Sequence, residues 1–367
     1  MYPALAVLQA LENEVEPGTI PSVSVLWVGS ESGMDRELVQ RAGVPFEAIP
    51  AAGVHGVGLR ALPGNLLQLA RGYQEAWRIL KRFKPDVLFF TGGYVAVPMA
   101  LAGRQIPAVL FVPDIEPGLA LKILALFADR IAVTTEKSKE FFSRKSRLTV
   151  TGYPARAELA DWSKSKALEL FGLSADLPVL LVFGGSTGAR SINRAVLAGL
   201  KELLKEMQII HLSGKRDWAE VEATRIALEK DLQADPGLAE RYRAFPYLHD
   251  EMGAALAAAD VVLSRSGASS LGEFPLIGLP AILVPYPHAW RYQKVNAEYL
   301  AQRGAALILE DQDLLNQLVP NVKDLIRDPA KRERMRNSMR SLARPEAARS
   351  IAALLRGKSV LIDQERI

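Results

Sequence analysis

Short apolar runs alternate with helical patterns along almost the whole chain, and this alternation limits the possible folds more than any other feature. The runs are Val23 to Val28, Val87 to Phe90, Ala108 to Val112 and Ile131 to Thr134, then Val179 to Phe183, Gln208 to Leu212, Val261 to Leu263 and Ala281 to Val284. An unbroken apolar stretch of strand length suits a strand buried on both faces, and strands separated by helices pair in parallel through crossover connections. The alternation breaks at Thr151 to Ser163, where a Gly152-Tyr153-Pro154 turn and then Asp161-Trp162-Ser163 separate the two series. The expected organisation is a domain over 1–155, a second over 156–330, and a basic helical segment over 331–367, carrying Lys331, Arg332, Arg334, Arg336, Arg340 and Arg344, that can pack back across the hinge.

Two of the runs end in glycine turns. After Leu180-Leu181-Val182-Phe183 comes Gly184-Gly185-Ser186-Thr187-Gly188-Ala189, and after Val261-Val262-Leu263 comes Ser266-Gly267-Ala268-Ser269-Ser270-Leu271-Gly272-Glu273. Glycines at a strand end let the backbone turn tightly and present N–H groups at the positive end of the next helix, which suits a diphosphate. Taken alone, the first turn reads equally as a plain strand-to-helix connection. In the second, Glu273 is expected about one and a half turns into the helix that follows, where a carboxylate can accept hydrogen bonds from adjacent ribose hydroxyls; the alternative is a solvated helix acid.

These segments, together with Gly278-Leu279-Pro280, Pro285-Tyr286-Pro287-His288, Gln293 and Asn296, resemble the carboxyl-terminal half of the MurG-type glycosyltransferases. Tyr2-Pro3-Ala4-Leu5-Ala6, Lys84-Pro85-Asp86-Val87, Gly92-Gly93-Tyr94-Val95 and Gly152-Tyr153-Pro154-Ala155-Arg156 continue the match through the first half in the same order. The resemblance implies an α/β chain of the GT-B class, with two Rossmann-like domains whose parallel sheets face each other across a cleft. It implies inverting, metal-independent transfer of N-acetylglucosamine from UDP-N-acetylglucosamine to the muramyl sugar of an undecaprenyl-linked peptidoglycan precursor, with no cofactor. The donor residues carried over are Arg156 for the diphosphate, Gly185, Ser186, Thr187, Gly188 and Ala189 for its cradle, and Leu248 with Ala268, Ser269, Ser270, Leu271 and Gly272 around the uridine. Glu273 is carried over for the ribose and Gln293 for the sugar, and His288 follows a strand end on the donor side. Gly92, Gly93, Tyr94 and Asp114 line the acceptor side.

The chain departs from the family in three places. The family's first strand, glycine-rich loop and histidine base precede the residues matching Tyr2-Pro3, where this chain has Met1, so no catalytic base is assigned and Asp114 and Glu116 stand in as candidates. Asp114 takes the place of a family asparagine and reads equally as an N-cap for a helix over Leu119 to Phe127. Tyr292 replaces the first of two paired glutamines. Two other readings follow from these departures: transfer of a hexose to another lipid or small molecule, and a donor-binding chain without activity. Sugar-nucleotide epimerases share the architecture as well.

Composition is consistent with a soluble two-domain α/β chain of 367 residues, 49% hydrophobic and 23% charged. No apolar stretch reaches the ~18 residues of a membrane span. The absence of cysteine excludes disulfides and thiolate chemistry, and a net charge of +4 implies no nucleic-acid partner. Leu66 to Lys84 is the exception in charge distribution: Leu66, Ala70, Tyr73, Trp77 and Leu80 recur at helical spacing, and Arg71, Arg78, Lys81, Arg82 and Lys84 are opposed by Glu75 alone. The stripe reads as core-facing with a basic back, or as a surface on which Leu67, Ile79 and the cations meet an anionic leaflet. With the resemblance, the second reading places the chain peripherally on the cytoplasmic face of the cell membrane. His55, in the loop Gly53 to Gly58, is a further ligand candidate. Asp311-Gln312-Asp313 has a metal-binding D-x-D form but precedes a helix, apart from both glycine turns, and reads as capping residues.

Overall fold

A computed structural model describes residues 1–13, 23–31, 35–51, 62–185, 187–231, 236–288 and 292–357. His55 and its loop, and Ser186, lie outside the described residues. The chain divides into two compact units, Met1–Pro154 with the segment from Glu346 on, and Ala155–Pro345.

In the first unit, β1 (Trp27–Ser30) pairs in parallel with β2 (Phe46–Ile49), and a separate four-stranded parallel sheet has the order β3-β4-β5-β6. Its strands are β3 (Leu88–Phe90), β4 (Ala108–Val112), β5 (Arg130–Val133) and β6 (Leu148–Val150). All five residues of β4 are buried, as its unbroken apolar sequence requires of a strand covered on both faces. Leu110 and Val112 share a core with Ile49, Ile79, Phe90, Met99 and Leu124, and Val28 of β1 packs against it. The helix Ala347–Leu355 packs on the helix Tyr2–Asn13, and Arg356 Nη2 donates to Leu11 O at 2.6 Å. The segment read as one terminal helix is therefore two, Pro329–Ser341 in the second unit and Ala347–Leu355 in the first.

The helix expected over Leu66 to Lys84 spans Leu62–Phe83, and both readings of its faces need correction. Tyr73 and Trp77, expected in the core stripe, are 45% and 49% exposed, whereas Ile79, assigned to the membrane-facing set, is buried with Ala76 and Leu80. Close packing explains the inversion. A Cβ on Gly72 would lie 2.2 Å from Pro50 O, so the arc of small residues through Gly72 and Ala76 is the one that can approach its neighbours.

The second unit is a six-stranded parallel sheet of order β12-β11-β10-β7-β8-β9. Its strands are β7 (Val179–Phe183), β8 (Gln208–Leu212), β9 (Tyr242–Phe245), β10 (Val261–Ser264), β11 (Ala281–Leu283) and β12 (Ala306–Ile308). The chain starts in the middle at β7, runs outward through β8 to β9, then returns to β10 on the other side of β7 and continues to β11 and β12. Strand order thus reverses between β7 and β10, which pair in register from Leu180↔Val261 to Phe183↔Ser264. In open α/β sheets, ligands bind outside the carboxyl ends of the strands at such a point.

Candidate active site

Both glycine turns leave the carboxyl ends of these two adjacent strands. Gly188 has φ +80°, and a Cβ there would stand 2.1 Å from Ser213 O, just beyond β8; only glycine lets the turn lie this close to the next strand end. Gly184 is equally confined, since its Cβ would lie 2.3 Å from the backbone N of Ala189. The helix Arg190–Ala198 that follows begins at Ala189, whose side chain offers no cap. By contrast, Ser163 and Asp328 accept backbone N–H bonds at the starts of their helices. Among the described residues, the first-turn N–H groups after the glycine loop are therefore left without a side-chain cap, which suits an anion.

The position of this turn is set by a buried polar network beneath it. Asn193 Nδ2 donates to Ser213 O and to Asp217 Oδ2, both at 2.9 Å. With that amide oriented, His211 Nε2–H donates to Asn193 Oδ1 at 3.0 Å, and His211 Nδ1 accepts from Tyr242 OH at 2.8 Å. Burial pushes the His211 pKa down to about 4, so the ring is neutral in this role. The helix, β8 and β9 are thereby joined under the loop.

At the second turn, Ala268–Leu271 forms a 3-10 turn and Glu273 is the first residue of the helix Glu273–Ile277, not a residue well inside it. Glu273 is 6% exposed, with Oε1 4.0 Å from Arg156 Nη2. Burial raises its pKa from 4.5 to about 7, against the downward pull of Arg156. Ser270 and Leu271 are buried, and Ser270 Oγ donates to Gly267 O at 2.6 Å, so both side chains shape the turn from within. Ser266 Oγ donates to Gln293 O at 2.7 Å and Asn296 Nδ2 donates to Ser266 O at 3.1 Å, which fastens the turn to the helix Tyr292–Ala301. Gln293 Oε1 accepts the Tyr286 N–H at 2.9 Å. That bond fixes the amide's orientation and makes Nε2 the group it can offer as a donor. His288 is exposed beyond β11, its ring 5.5 Å from that of Tyr286, and Leu248 is buried in the segment after β9. Arg156, the described part of the glycine loop, Leu248, the 268–273 turn, His288 and Gln293 thus all belong to one unit, and the loops among them leave the carboxyl ends of one sheet.

Comparison with known proteins agrees with this arrangement. The glycosyltransferase family 28 N-terminal domain matches residues 1–133, and the family's C-terminal domain matches residues 179–353. The chain is 39% identical to the UDP-N-acetylglucosamine–N-acetylmuramyl-(pentapeptide) pyrophosphoryl-undecaprenol N-acetylglucosamine transferase of Roseiflexus sp. (strain RS-1), covering 97% of this chain and 91% of that protein. It is 38% identical to the protein of the same name from Desulforamulus reducens, covering 96% and 93%. The chain belongs to the MurG-type members of glycosyltransferase family 28. The crystal structure of Acinetobacter baumannii MurG superposes with a TM-score of 0.71 at 26% identity, over 97% of this chain and 95% of that one. A UDP-GlcNAc 2-epimerase from Neisseria meningitidis, at 14% identity and a TM-score of 0.67 over 97% and 96% of the two chains, shares the fold alone. The fold class is that of the GT-B glycosyltransferases.

In the first unit, Gly92, Gly93 and Tyr94 follow β3, and Asp114 and Glu116 follow β4, its parallel neighbour, so these residues lie beyond the carboxyl ends of adjacent strands. Gly92 and Gly93 have φ +110° and +87°, and Tyr94 is exposed. The helix Leu119–Phe127 takes Gly118 as its N-cap residue, so Asp114 is not its cap.

Sequence reasoning misplaced one group. Asp311 is neither a cap nor apart from the glycine turns: its Oδ1 accepts from Ser191 Oγ at 2.7 Å, in the first turn of the helix after the glycine loop, and pairs with Arg265 Nη1 at 2.5 Å. Asp313 stands at the start of the helix Leu314–Arg327 without a side-chain cap bond. Arg265 lies next to the Ser266-Gly267 turn, and its role had no sequence signal beyond that adjacency.

Proposed function

We propose that this chain transfers N-acetylglucosamine from UDP-N-acetylglucosamine to the muramyl sugar of an undecaprenyl-pyrophosphoryl-linked pentapeptide, a step of peptidoglycan synthesis. The observation carrying the proposal is the buried Glu273 carboxylate set beside two glycine turns at the reversal of strand order, in a chain whose relatives bear the name of that transferase. Glu273 accepts the ribose hydroxyls, the backbone around Leu248 and Ala268 frames the uracil, and Gln293 donates through Nε2 to a sugar oxygen. The acceptor hydroxyl attacks the anomeric carbon as the bond from that carbon to the diphosphate oxygen breaks, inverting the centre. The hydroxyl proton passes to a general base, for which Asp114 and Glu116 are the candidates in this chain. The charge developing on UDP is taken up by N–H groups of the Gly185–Ala189 loop, the helix dipole and Arg156. No metal is invoked, because the Asp311 carboxylate is engaged by Arg265 and Ser191. Titration with UDP-N-acetylglucosamine tests the donor assignment. Affinity that is lost in Arg156→Ala and Glu273→Ala supports it, and wild-type protein that binds no UDP-sugar contradicts it.

The acceptor's lipid calls for a peripheral attachment to the cytoplasmic face of the membrane, and among the described residues no helix is long and apolar enough to cross one. The exposed face of the helix Leu62–Phe83 supports such an attachment. Leu67, Tyr73 and Trp77 are exposed there among Arg71, Arg78 and Lys81, and Lys81 Nζ lies 4.9 Å from the Trp77 ring centroid. Leu119, Ile123 and Leu126 add exposed apolar area on the helix Leu119–Phe127. Each cation contributes about 1 kcal/mol at an anionic surface. Co-sedimentation with vesicles containing anionic lipid, abolished in Trp77→Ala combined with Arg78→Glu, is the expected result; equal binding to zwitterionic vesicles would contradict the electrostatic part.

A further inference from the structure

We infer that Asp311 is a positioning residue for the donor diphosphate, acting through Arg265 and Ser191. The inference rests on the donor reading above and assigns a role within that site to a residue that follows β12, three strands away in the sheet from the β7 that carries the glycine loop.

Arg265 follows β10, and both of its terminal nitrogens bond to the protein. Nη1 donates to Val284 O at 3.2 Å and Pro285 O at 3.4 Å, both beyond β11, and pairs with Asp311 Oδ1. Nη2 donates to Ser191 Oγ at 2.8 Å, and the same hydroxyl donates onward to Asp311 Oδ1. The Arg265 guanidinium carbon lies 5.2 Å from the centroid of the Tyr286 ring, the residue whose N–H orients Gln293. The Arg265 side chain is 10% exposed and that of Asp311 22%. A cation this enclosed, with both terminal nitrogens engaged by the protein, acts on a ligand chiefly through what it holds in place. What the cluster does is tie the first turn after the glycine loop to the ends of β10 and β11, so that the N–H groups facing the diphosphate and the residues facing the sugar are held as one piece.

Asp311 is the anion that makes this possible. Without it, the guanidinium keeps a buried charge whose partners among the described residues are two carbonyls and one hydroxyl, and it can turn away from Ser191. Pre-organised N–H groups lose value when their geometry loosens, so the effect of losing the carboxylate falls on the phosphates and spares the uridine, which is held elsewhere.

The test is Asp311→Asn, which keeps size and an acceptor for Ser191 but removes the charge, with Ser191→Ala as a second variant that leaves the ion pair in place. Affinities for UDP and for uridine are measured side by side, with and without Mg²⁺ or Mn²⁺. The expected result is a fall of roughly tenfold in UDP affinity for Asp311→Asn, with uridine affinity unchanged, the same pattern in Ser191→Ala, and recovery in Asp311→Glu. Equal losses for UDP and uridine, or a lowered unfolding midpoint with no phosphate selectivity, would make the cluster structural only and overturn the inference. Unchanged UDP affinity would overturn it too. UDP affinity that rises with the divalent ion in wild type and not in Asp311→Asn would make Asp311 a metal ligand instead. Wild-type protein that binds neither UDP nor uridine would refute the donor reading itself, which separates the two failures.

Discussion

Replacing Glu273 by Gln should make the protein more stable at high pH while weakening donor binding most above about pH 7, where the wild-type carboxyl is ionised. The carboxyl group has a pKa of about 7 in the folded chain, raised by burial from the ordinary 4.5, with Arg156 partly offsetting the shift. Between these values the native state holds a proton that the unfolded chain has released. Stability from this group is therefore fully present below pH 4.5 and is lost as pH rises through about 7. At about 1.4 kcal/mol per pH unit, the wild-type penalty grows by about 2–3 kcal/mol between pH 5 and pH 8, and Glu273→Gln escapes it. Charged groups on the elements packed against the Glu273 helix are Arg156 and Glu158, Glu251 near the helix Met252–Ala258, and Lys331, Arg332, Glu333, Arg334, Arg336 and Arg340 on the helix Pro329–Ser341. Among the described residues Arg156 is the one at ion-pair distance from Glu273. Calorimetry at pH 5 and pH 8, following the transition that UDP shifts, should show the variant gaining about 5–10 °C relative to wild type at pH 8 over its difference at pH 5. Over the same range, wild-type donor affinity should fall as pH drops below 7, because the ribose hydroxyls need the ionised form. A stability difference that does not change with pH, or that favours wild type more at pH 8, would refute the burial argument.

Gly188→Ala should place a methyl group against Ser213 O at a left-handed backbone position, and we expect UDP affinity to fall at least tenfold by calorimetric titration; retained affinity would contradict the cradle geometry. Asn193→Ala strips the buried His211 ring of a partner and removes one donor each from Ser213 O and Asp217 Oδ2, so the unfolding free energy should drop by about 1–3 kcal/mol in urea titrations, and an unchanged value would contradict the network. Hydrogen bonds from Arg327 and Lys323 hold the Glu206 carboxyl at about pKa 2, below its ordinary 4.5. The stability this lends is present above pH 4.5 and lost as pH falls through about 2, so Glu206→Gln should lower the melting temperature slightly at pH 7, less in high salt, and leave it unchanged near pH 2. A larger effect in acid than at neutrality would reverse that account.

The strands legible to the residue were β4 and β7, written as unbroken apolar runs, and β8, whose Ile209, Ile210 and Leu212 mark it although Gln208 and His211 interrupt the run. β2, β6, β9 and β12 escaped notice because they are short or half-buried; Glu47 interrupts β2 and Arg243 interrupts β9, leaving no apolar run to find. Val23, assigned to a strand, is exposed, and β1 begins only at Trp27. For the helix Leu62–Phe83, periodicity revealed an apolar stripe but could not tell which arc meets the core, since Gly72 and Ala76 win their place by close approach and not by hydrophobicity. The donor-side turns were legible because glycine is required wherever the backbone passes close to a neighbouring strand end. Asp311 was not, because its partner Ser191 lies 120 residues away and nothing local marks a carboxylate that is recruited by a distant guanidinium.

The central claim is the transfer reaction, and the direct measurement is the fate of labelled N-acetylglucosamine when the chain is given UDP-N-acetylglucosamine and the undecaprenyl-linked muramyl-pentapeptide. The account predicts a labelled lipid product with one UDP released per sugar transferred, formed only when that acceptor is present and lost in Glu273→Gln. Donor binding without label in the lipid, label on a different acceptor, or conversion of the donor to its epimer would contradict it.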